Sequence, residues 1–154
     1  MALLRGFDFP EHLWYWTETM IWIAPEPGGL LRVGMSALGL ATAGEFLVFT
    51  ARPVGADIAS GKAIGNVETA KTVSSVRSPI AGRIVAINDA VEADGVLISR
   101  QPYDAWLVRL GPHFTPGDRV PDDPVSRLSA AGLLTGQAAM NGIAAVLAHY
   151  RVGE

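Results

Sequence analysis

The sequence predicts a mainly β fold, a small barrel or sandwich with short helices and a C-terminal helical tail. Between residues 20 and 111, short β-branched and aromatic runs alternate with glycine-containing turns, which is typical of such folds. Beyond residue 124, apolar residues recur at helical spacing instead. A chain of 154 residues that is 49% hydrophobic has room for one domain with a buried core.

Composition and charge exclude several classes of protein. Only 18% of the residues are charged, against about 25% in ordinary domains, which excludes a disordered chain. A net charge of -3 argues against a nucleic-acid partner, and the absence of cysteine excludes disulfides and thiol nucleophiles. The apolar stretch 30–49 is interrupted by Arg32 and Glu45, and residues 1–10 lack a signal peptide's apolar run. We therefore predict a soluble cytoplasmic protein with no membrane partner.

The first elements follow from local patterns. Residues 1–19 are predicted to be an extended lead-in, and 20–35 a hairpin around the turn 25–29. Ser36 is a suitable N-cap for a short helix that Gly44 would end. The run 45–51 is β-branched and aromatic, which predicts a strand.

The middle of the chain predicts several short strands separated by turns. They are placed at 54–57, 60–62, 63–68, 72–76, 80–83, 84–88 and 106–110. The segment 29–33 also resembles 82–86 in its glycine-then-strand pattern, a hint of an internal duplication. Residues 20–111 are accordingly assigned to one β domain.

The C-terminal part changes character. Residues 112–124 are rich in proline, glycine and aspartate and are predicted to be a linker. The tail, 125–154, follows a helix start at Asp123-Pro124, with one helix to about Ala131 and a second from Thr135 to about Tyr150. The second helix has an apolar stripe that should pack on the β body, made of Ala139, Ile143, Val146, Leu147 and Tyr150.

The most specific segment surrounds Lys71, one of two lysines. Glu68 lies three residues before it, and a Ser78-Pro79-x-x-Gly82 turn follows. This arrangement resembles the modification hairpin of lipoyl carriers, above all the H-protein of the glycine cleavage system. The resemblance extends over about residues 12–112.

The resemblance carries expectations about fold and site. It implies a flattened, lipoyl-domain-like β fold with two quasi-symmetric halves. It also implies that lipoic acid is attached to Lys71 as a lipoyl amide. The hairpin residues that a lipoate-attaching enzyme would recognise are Glu68, Thr69, Ala70, Thr72, Pro79 and Gly82.

Departures from the glycine-cleavage pattern favour a different pathway. The segment 36–44, the run Ala51-Arg52-Pro53 and the loop 102–106 all differ from it. The motifs at 10–15 and 132–136 resemble the H-like lipoate-binding proteins of bacterial sulfur oxidation. That family implies a non-catalytic carrier of a sulfur-bound intermediate beside a heterodisulfide-reductase-like complex. The alternative is a glycine cleavage H-protein, which carries an aminomethyl group between glycine cleavage enzymes.

One other interpretation of the same residues stays open, and several are disfavoured. An unmodified scaffold or interaction module is a further alternative, in which Lys71 stays bare. Lys62 lies in a turn and matches no modification pattern, and the residues flanking Lys71 differ from the Ala-Met-Lys-Met typical of biotin carriers. The three histidines lack metal-ligand spacing, so no metal site is expected. Neither the carrier nor the scaffold interpretation makes the chain an enzyme by itself, so no enzymatic activity is expected.

Overall fold

The computed structural model describes residues 2–4, 6–18, 20–111 and 124–149, and ten of the twelve strands in these ranges build two β-sheets around a shared core. The strands are β1 Ala2–Leu4, β2 Phe7–Phe9, β3 Trp14–Trp16, β4 Ile21–Glu26, β5 Leu30–Met35, β6 Phe46–Ala51, β7 Asp57–Ile58, β8 Ala63–Thr69, β9 Val73–Arg77, β10 Gly82–Ile87, β11 Val108–Gly111 and β12 Leu134–Thr135. The helices are α1 Ala37–Ala43, α2 Asp89–Ala93, α3 Leu97–Arg100, α4 Pro124–Ala130 and α5 Gly136–His149.

The larger sheet has seven strands in the order β12-β3-β4-β5-β11-β10-β7, and the smaller has three in the order β6-β8-β9. Strands β1 and β2 form a separate hairpin. All of the pairings are antiparallel. The sheets stay open, so the chain forms a sandwich, and the barrel form of the expectation is not adopted.

The main core lies between the two sheets. Alternate residues of β5, Leu31, Val33 and Met35, face it from the large sheet. Phe49 and Val67 enter it from the small sheet. This period-two burial fixes the register of each strand, because a slip by one residue would turn the apolar side chains to the opposite face.

A second core lies on the other face of the large sheet. Helix α5 contributes Ala139, Ile143 and Leu147 to it, and Trp22 of β4 is fully buried there. This confirms the expectation that the second C-terminal helix packs on the β body. Tyr150, the last member of the predicted stripe, lies outside the described residues.

Two predicted elements agree closely with the structure. The hairpin at 20–35 is formed by β4 and β5, with Ile23 opposite Val33. Helix α1 begins after Ser36, whose side-chain oxygen accepts a hydrogen bond from the backbone N–H of Leu38. It ends at Gly44, which has φ 86°.

The region expected to be a lead-in is more structured than the sequence indicated. Residues 14–16 form β3, which pairs with β4 on one side and β12 on the other. Tyr15 of this strand is buried, and its hydroxyl donates to the carbonyl of Pro10 at 2.6 Å. The segment is thus part of the large sheet.

Several short strands differ from the prediction. In the interval 54–62 only β7 is a strand, and residues 60–61 form a turn. The expected strands at 80–83 and 84–88 are one strand, β10, which starts at Gly82. The two segments that suggested a duplication lie in β5 and β10, on either side of β11.

The predicted linker, 112–124, lies almost wholly outside the described residues. Helix α4 begins at Pro124 and α5 at Gly136, within a residue or two of the predicted helices. Within the described part of the chain, no helix combines the length and hydropathy needed to cross a bilayer.

Candidate functional site

Lys71 lies at the tip of the hairpin formed by β8 and β9. The last paired residues are Glu68 and Val73, and the backbone N–H of Thr69 donates to the carbonyl of Thr72 at 2.9 Å. The turn residues Ala70, Lys71 and Thr72 are all exposed. The primary amine therefore projects from the end of a paired strand and is open to solvent.

The Thr69 side chain organises this tip. Its hydroxyl oxygen accepts from the backbone N–H groups of Lys71 and Thr72, both at 3.3 Å. Glycine is the usual residue in two-residue hairpin turns because they need positive φ. Here neither Ala70 nor Lys71 has positive φ. The threonine hydroxyl replaces the usual backbone acceptor, so a lysine fits at the apex without strain.

Glu68 lies on the outer face of the small sheet, beside the tip. It is directly opposite Val48 of β6 and Val73 of β9, which are 40% and 62% exposed. An exposed carboxylate thus stands between two exposed apolar side chains. An enzyme that approaches Lys71 from this side would meet that row of three residues.

The Ser-Pro-x-x-Gly pattern lies at the other end of the hairpin. Ser78 is fully buried, and its hydroxyl donates to the carbonyl of Ile80 at 2.7 Å. Pro79 is buried, and its carbonyl accepts from the Ser60 hydroxyl at 2.8 Å. Strand β9 has five residues and separates this turn from Lys71 by about 17 Å. The pattern anchors the base of the hairpin.

Gly82 has a packing role in the same region. A Cβ atom at this position would lie 3.0 Å from the carbonyl oxygen of Gly111 and 3.2 Å from Cβ of Leu110. The glycine thus permits the close approach of β10 and β11. Of the hairpin residues singled out from the sequence, Glu68, Thr69, Ala70 and Thr72 surround Lys71, whereas Pro79 and Gly82 do not.

The second lysine occupies a different place. Lys62 precedes β8, and its carbonyl accepts from the backbone N–H of Ser78 at 2.9 Å. It is exposed, but it lies at the opposite end of β8 from Lys71. The two amines are therefore well separated, and only one is at a hairpin tip.

A cavity of about 370 Å³ opens beside Lys71. The end of α1 and the start of β6 form one wall, and the hairpin tip forms the other. Its lining residues are Thr42, Ala43, Gly44, Glu45, Leu47, Thr69, Ala70 and Lys71. A long substituent on Lys71 has space to lie against the body of the protein here.

A second cavity of about 150 Å³ shares Ala43 and Thr69 with the first. It extends beneath the hairpin toward Glu18, Met20 and Arg77. The two cavities together follow the inner side of the hairpin. Sequence reasoning found the part of the lining in the hairpin, Thr69, Ala70 and Lys71, but not the rest, because it comes from segments far apart in the chain.

Met20 has an unusual conformation in the second cavity, with φ 64°. Residues other than glycine seldom adopt this region, and those that do need support from their surroundings. The Met20 carbonyl accepts from the backbone N–H and the hydroxyl of Ser36, at 2.9 and 2.8 Å. The Thr42 hydroxyl contacts its sulfur at 2.8 Å. Helix α1 thus fixes this wall of the cavity.

A partly buried tyrosine, Tyr103, ties α1 to the N-terminal hairpin. The Tyr103 hydroxyl accepts from the backbone N–H of Ala37 at 3.1 Å and donates to the carbonyl of Asp8 at 2.5 Å. Burial raises the pKa of the Tyr103 phenol and also that of the Tyr15 phenol. Both act as neutral hydrogen-bonding groups; Tyr103 positions α1, and Tyr15 bonds the carbonyl of Pro10.

In the described ranges, no three histidine, aspartate or glutamate side chains come together as a metal site. His113 lies outside those ranges. The chemistry that these residues do offer is a single exposed amine beside a cavity.

Comparison with known proteins gives a consistent result. The family model described as "Glycine cleavage H-protein" matches residues 13–119. "Probable glycine cleavage system H protein 3" of Sulfurisphaera tokodaii is 36% identical over 107 residues, 70% of this chain and 78% of the relative. "Glycine cleavage system H protein 3" of Aquifex aeolicus is 31% identical over 109 residues, 70% of this chain and 68% of the relative.

A solved structure agrees with the sequence relatives. The crystal structure of a glycine cleavage system H protein from Mycobacterium marinum superposes with a TM-score of 0.67 at 28% identity. It covers 86% of this chain and 97% of the other. The family match covers more than half of the sequence and includes the whole Lys71 hairpin. The chain therefore belongs to the glycine cleavage H-protein family, whose members are non-catalytic carriers of a lipoate attached covalently to a lysine.

Proposed function

We propose that Lys71 carries the lipoyl group and that the chain serves glycine cleavage enzymes as an aminomethyl carrier. The observation that carries this proposal is the position of Lys71: a solvent-exposed amine at a hairpin tip ordered by Thr69. Lys62, the other lysine, follows a turn at the base of the same hairpin. The family and the names of the relatives support the pathway.

The residues around Lys71 suit a covalent arm. The attachment converts the amine of Lys71 into an amide, so the positive charge of this side chain is lost. The contacts that order the tip must therefore be independent of that charge. Thr69 bonds the backbone rather than the lysine side chain, so its contacts survive the modification. Lipoate supplies thiol–disulfide chemistry through its dithiolane. The protein supplies a rigid base for the arm, which raises its effective concentration at partner sites.

The lining of the cavity beside Lys71 bears on the kind of group that the arm carries. Its wall includes Leu47 and Ala43, which offer apolar contact, and Glu45, which offers a carboxylate. An aminomethyl group on the arm is cationic at neutral pH, so a nearby carboxylate would attract it. This charge complementarity favours an aminomethyl cargo over an anionic one.

The sulfur-oxidation alternative depends on two short motifs and on the departures from the glycine-cleavage pattern. In the structure these motifs meet, since Leu134 of β12 lies opposite Tyr15 of β3 and Thr135 lies opposite Trp14. That pairing gives them a shared structural role at one sheet edge. The glycine cleavage relatives support the aminomethyl pathway better than the sulfur pathway.

The first experiment tests the attachment site. The full chain is produced with lipoate and a lipoate-attaching enzyme, and its intact mass and peptide map are measured. We expect a lipoyl increment on the Lys71 peptide, its loss in Lys71→Arg, and its retention in the matched control Lys62→Arg. A lipoyl group on Lys62, or none on either lysine, would overturn the assignment, and the latter would favour the scaffold alternative.

The second experiment tests the pathway. The lipoylated chain, with its dithiolane oxidised, is combined with glycine decarboxylase and glycine. Formation of the aminomethyl adduct, with release of CO2 and opening of the dithiolane, is monitored by mass spectrometry. We expect the adduct on wild type and not on Lys71→Arg. If the lipoylated chain accepts no aminomethyl group but takes up oxidised sulfur in the presence of a heterodisulfide-reductase-like complex, the sulfur pathway replaces this proposal.

A further inference from the structure

The small sheet has one covered edge and one open edge. At the β6 edge, the backbone N–H of Ala51 donates to the Glu92 carboxylate at 3.0 Å, and that of Phe46 donates to the Ser99 hydroxyl at 2.8 Å. Both acceptors belong to helices α2 and α3, which pack along β6. The opposite edge is β9, and among the described strands only β8 pairs with it. Strand β9 is therefore the open edge.

The hydrogen bonds of the hairpin show which backbone groups of β9 point away from β8. The carbonyl of Thr72 accepts a bond from the β8 side at 2.9 Å, and the N–H of Ser78 donates one to that side at 2.9 Å. Bonding to one neighbour alternates along an antiparallel strand, so the even-numbered residues between these two bond to β8. The backbone groups of Val73, Ser75 and Arg77 then point to the open edge, where no other described segment bonds to them.

The side chains along this edge are exposed and lie beside open space. Val73, Ser74, Ser75 and Arg77 are all exposed, and Val73 is 62% exposed. The cavity of about 150 Å³ is lined in part by the last three of these residues, so it opens along the edge. The Arg77 guanidinium lies 5.8 Å from the ring centroid of Trp16 and forms no ion pair within the described part of the chain.

An open edge of this kind suits the addition of another strand. In strand addition, main-chain hydrogen bonds supply affinity, and side chains at alternate positions supply specificity. Val73 and Arg77 are four residues apart and so lie on the same face of the sheet. An apolar residue opposite Val73 and an acidic residue opposite Arg77 would both form favourable cross-strand pairs. Since Val73 is two residues from Lys71, an added strand would pass beside the hairpin tip.

We propose that β9 binds an extended segment of a partner protein as an added antiparallel strand, with an acidic residue opposite Arg77 and an apolar residue opposite Val73. A second copy of this chain fits less well. If β9 paired with itself about Ser75, each Arg77 would lie opposite a valine, and β9 has no acidic residue to offer it. The proposal is independent of whether Lys71 is lipoylated.

The test uses the nitrogen-15-labelled full chain, with backbone amide signals and their hydrogen exchange recorded by NMR. The probe is the capped peptide Thr-Glu-Thr-Thr-Thr-Val-Thr, which can place its glutamate opposite Arg77 and its valine opposite Val73. The control peptide carries N-methyl groups on its second, fourth and sixth residues, which removes the donors that would face β9. We expect the first peptide to shift the Ser75 and Arg77 amide signals and slow their exchange, and the control to bind at least about tenfold more weakly.

A pair of variants at one position separates backbone from side chain. Ser75→Pro removes the outward N–H but no bond to β8, and proline is tolerated on edge strands at such positions. The affinity for the peptide should fall by about three- to tenfold, the range for one hydrogen bond. Ser75→Ala keeps the N–H and should change the affinity by less than about twofold. Equal losses in the two variants would overturn the proposal, because the backbone would then not be the binding group.

An exchange of charge tests the register and does not depend on Ser75→Pro being folded. Arg77→Glu should bind the glutamate peptide several-fold more weakly, and should prefer a peptide with lysine in place of that glutamate. Arg52→Glu changes an exposed arginine outside β9 and should keep the preference of the wild type for the glutamate peptide. If Arg77→Glu and Arg52→Glu show the same preference, the proposal is wrong.

Analytical ultracentrifugation tests the competing occupant. We expect the wild-type chain to remain a monomer over the concentrations used for NMR. A dimer that Ser75→Pro abolishes would mean that β9 binds a second copy of the chain, and the proposal would be wrong. It would be equally wrong if the glutamate peptide left the β9 amide signals and their exchange unchanged.

Discussion

Substitution of Gly34 by alanine should strongly destabilise the fold. A Cβ atom on Gly34 would lie 2.4 Å from two ring atoms of Trp22, its cross-strand partner, where carbon atoms normally stay about 3.5–4.0 Å apart. Trp22 is fully buried, so its ring has no solvent-filled space into which to move. Its indole N–H also donates to the carbonyl of Pro102 at 2.9 Å, and a displaced ring would lose that bond.

The size of the effect follows from these contacts. Overpacking a well-filled core costs about 1–3 kcal/mol, and a buried donor left without its partner costs about 1–3 kcal/mol more. We therefore expect the free energy of unfolding to fall by about 2–6 kcal/mol. For a chain of 154 residues this corresponds to a Tm lower by about 4–24 °C.

The measurements are urea unfolding and a thermal scan of Gly34→Ala, both monitored by tryptophan fluorescence and circular dichroism. Gly142→Ala is the matched control, since its Cβ would lie 3.1 Å from the end of the flexible Leu134 side chain. Alanine also favours helix over glycine by about 1 kcal/mol, so this control should be neutral or stabilised. A Gly34→Ala protein within about 1 kcal/mol of wild type would refute the reasoning, because the ring would then have room to move.

Three other changes give distinct expected results. Thr69→Val keeps the shape of the side chain but removes the acceptor at the hairpin tip. Lipoylation of Lys71 should therefore slow by a few-fold, while the Tm changes by less than about 3 °C. Initial rates of lipoylation and a thermal scan measure the two effects. Ser78→Ala removes a fully buried hydroxyl and should lower the free energy of unfolding by about 1–3 kcal/mol, measured in urea, with little effect on modification of the folded protein. The pKa values of Tyr15 and Tyr103 are raised in the folded state, so the folded protein keeps these phenol protons at a pH where the unfolded chain loses them. The free energy of unfolding should therefore be unaffected near neutral pH and fall above about pH 10. Urea unfolding at a series of pH values tests this, and the variant with both tyrosines replaced by phenylalanine should show a smaller decline.

Local sequence signals were sufficient for elements whose determinants lie close together. Ser36 and Gly44 bound α1 because a cap and a stop act within one helical turn. The Lys71 hairpin is similar, since the turn hydroxyl of Thr69 is two residues from the lysine that it orders. In both cases the interacting groups are near neighbours in sequence.

The elements that the sequence did not predict depend on distant partners. Strand β3 has only three residues, and although it pairs with the nearby β4, its other partner, β12, comes from residues 134–135, which no local pattern reveals. The left-handed conformation of Met20 depends on Ser36 and Thr42, which adjoin it only in the folded chain. Period-two alternation does turn Arg32 outward, but only the cross-strand register places it opposite Arg109.

The large sheet ends on both sides in very short strands. Its edge strands, β12 and β7, have two residues each, so each edge offers few free backbone groups to another chain. Short edge strands are one of the ways in which proteins avoid joining sheet to sheet. A carrier that must meet several enzymes in turn benefits from this, because copies of the chain have little tendency to associate through the edges of the large sheet. Such association would make the copies unavailable to the enzymes.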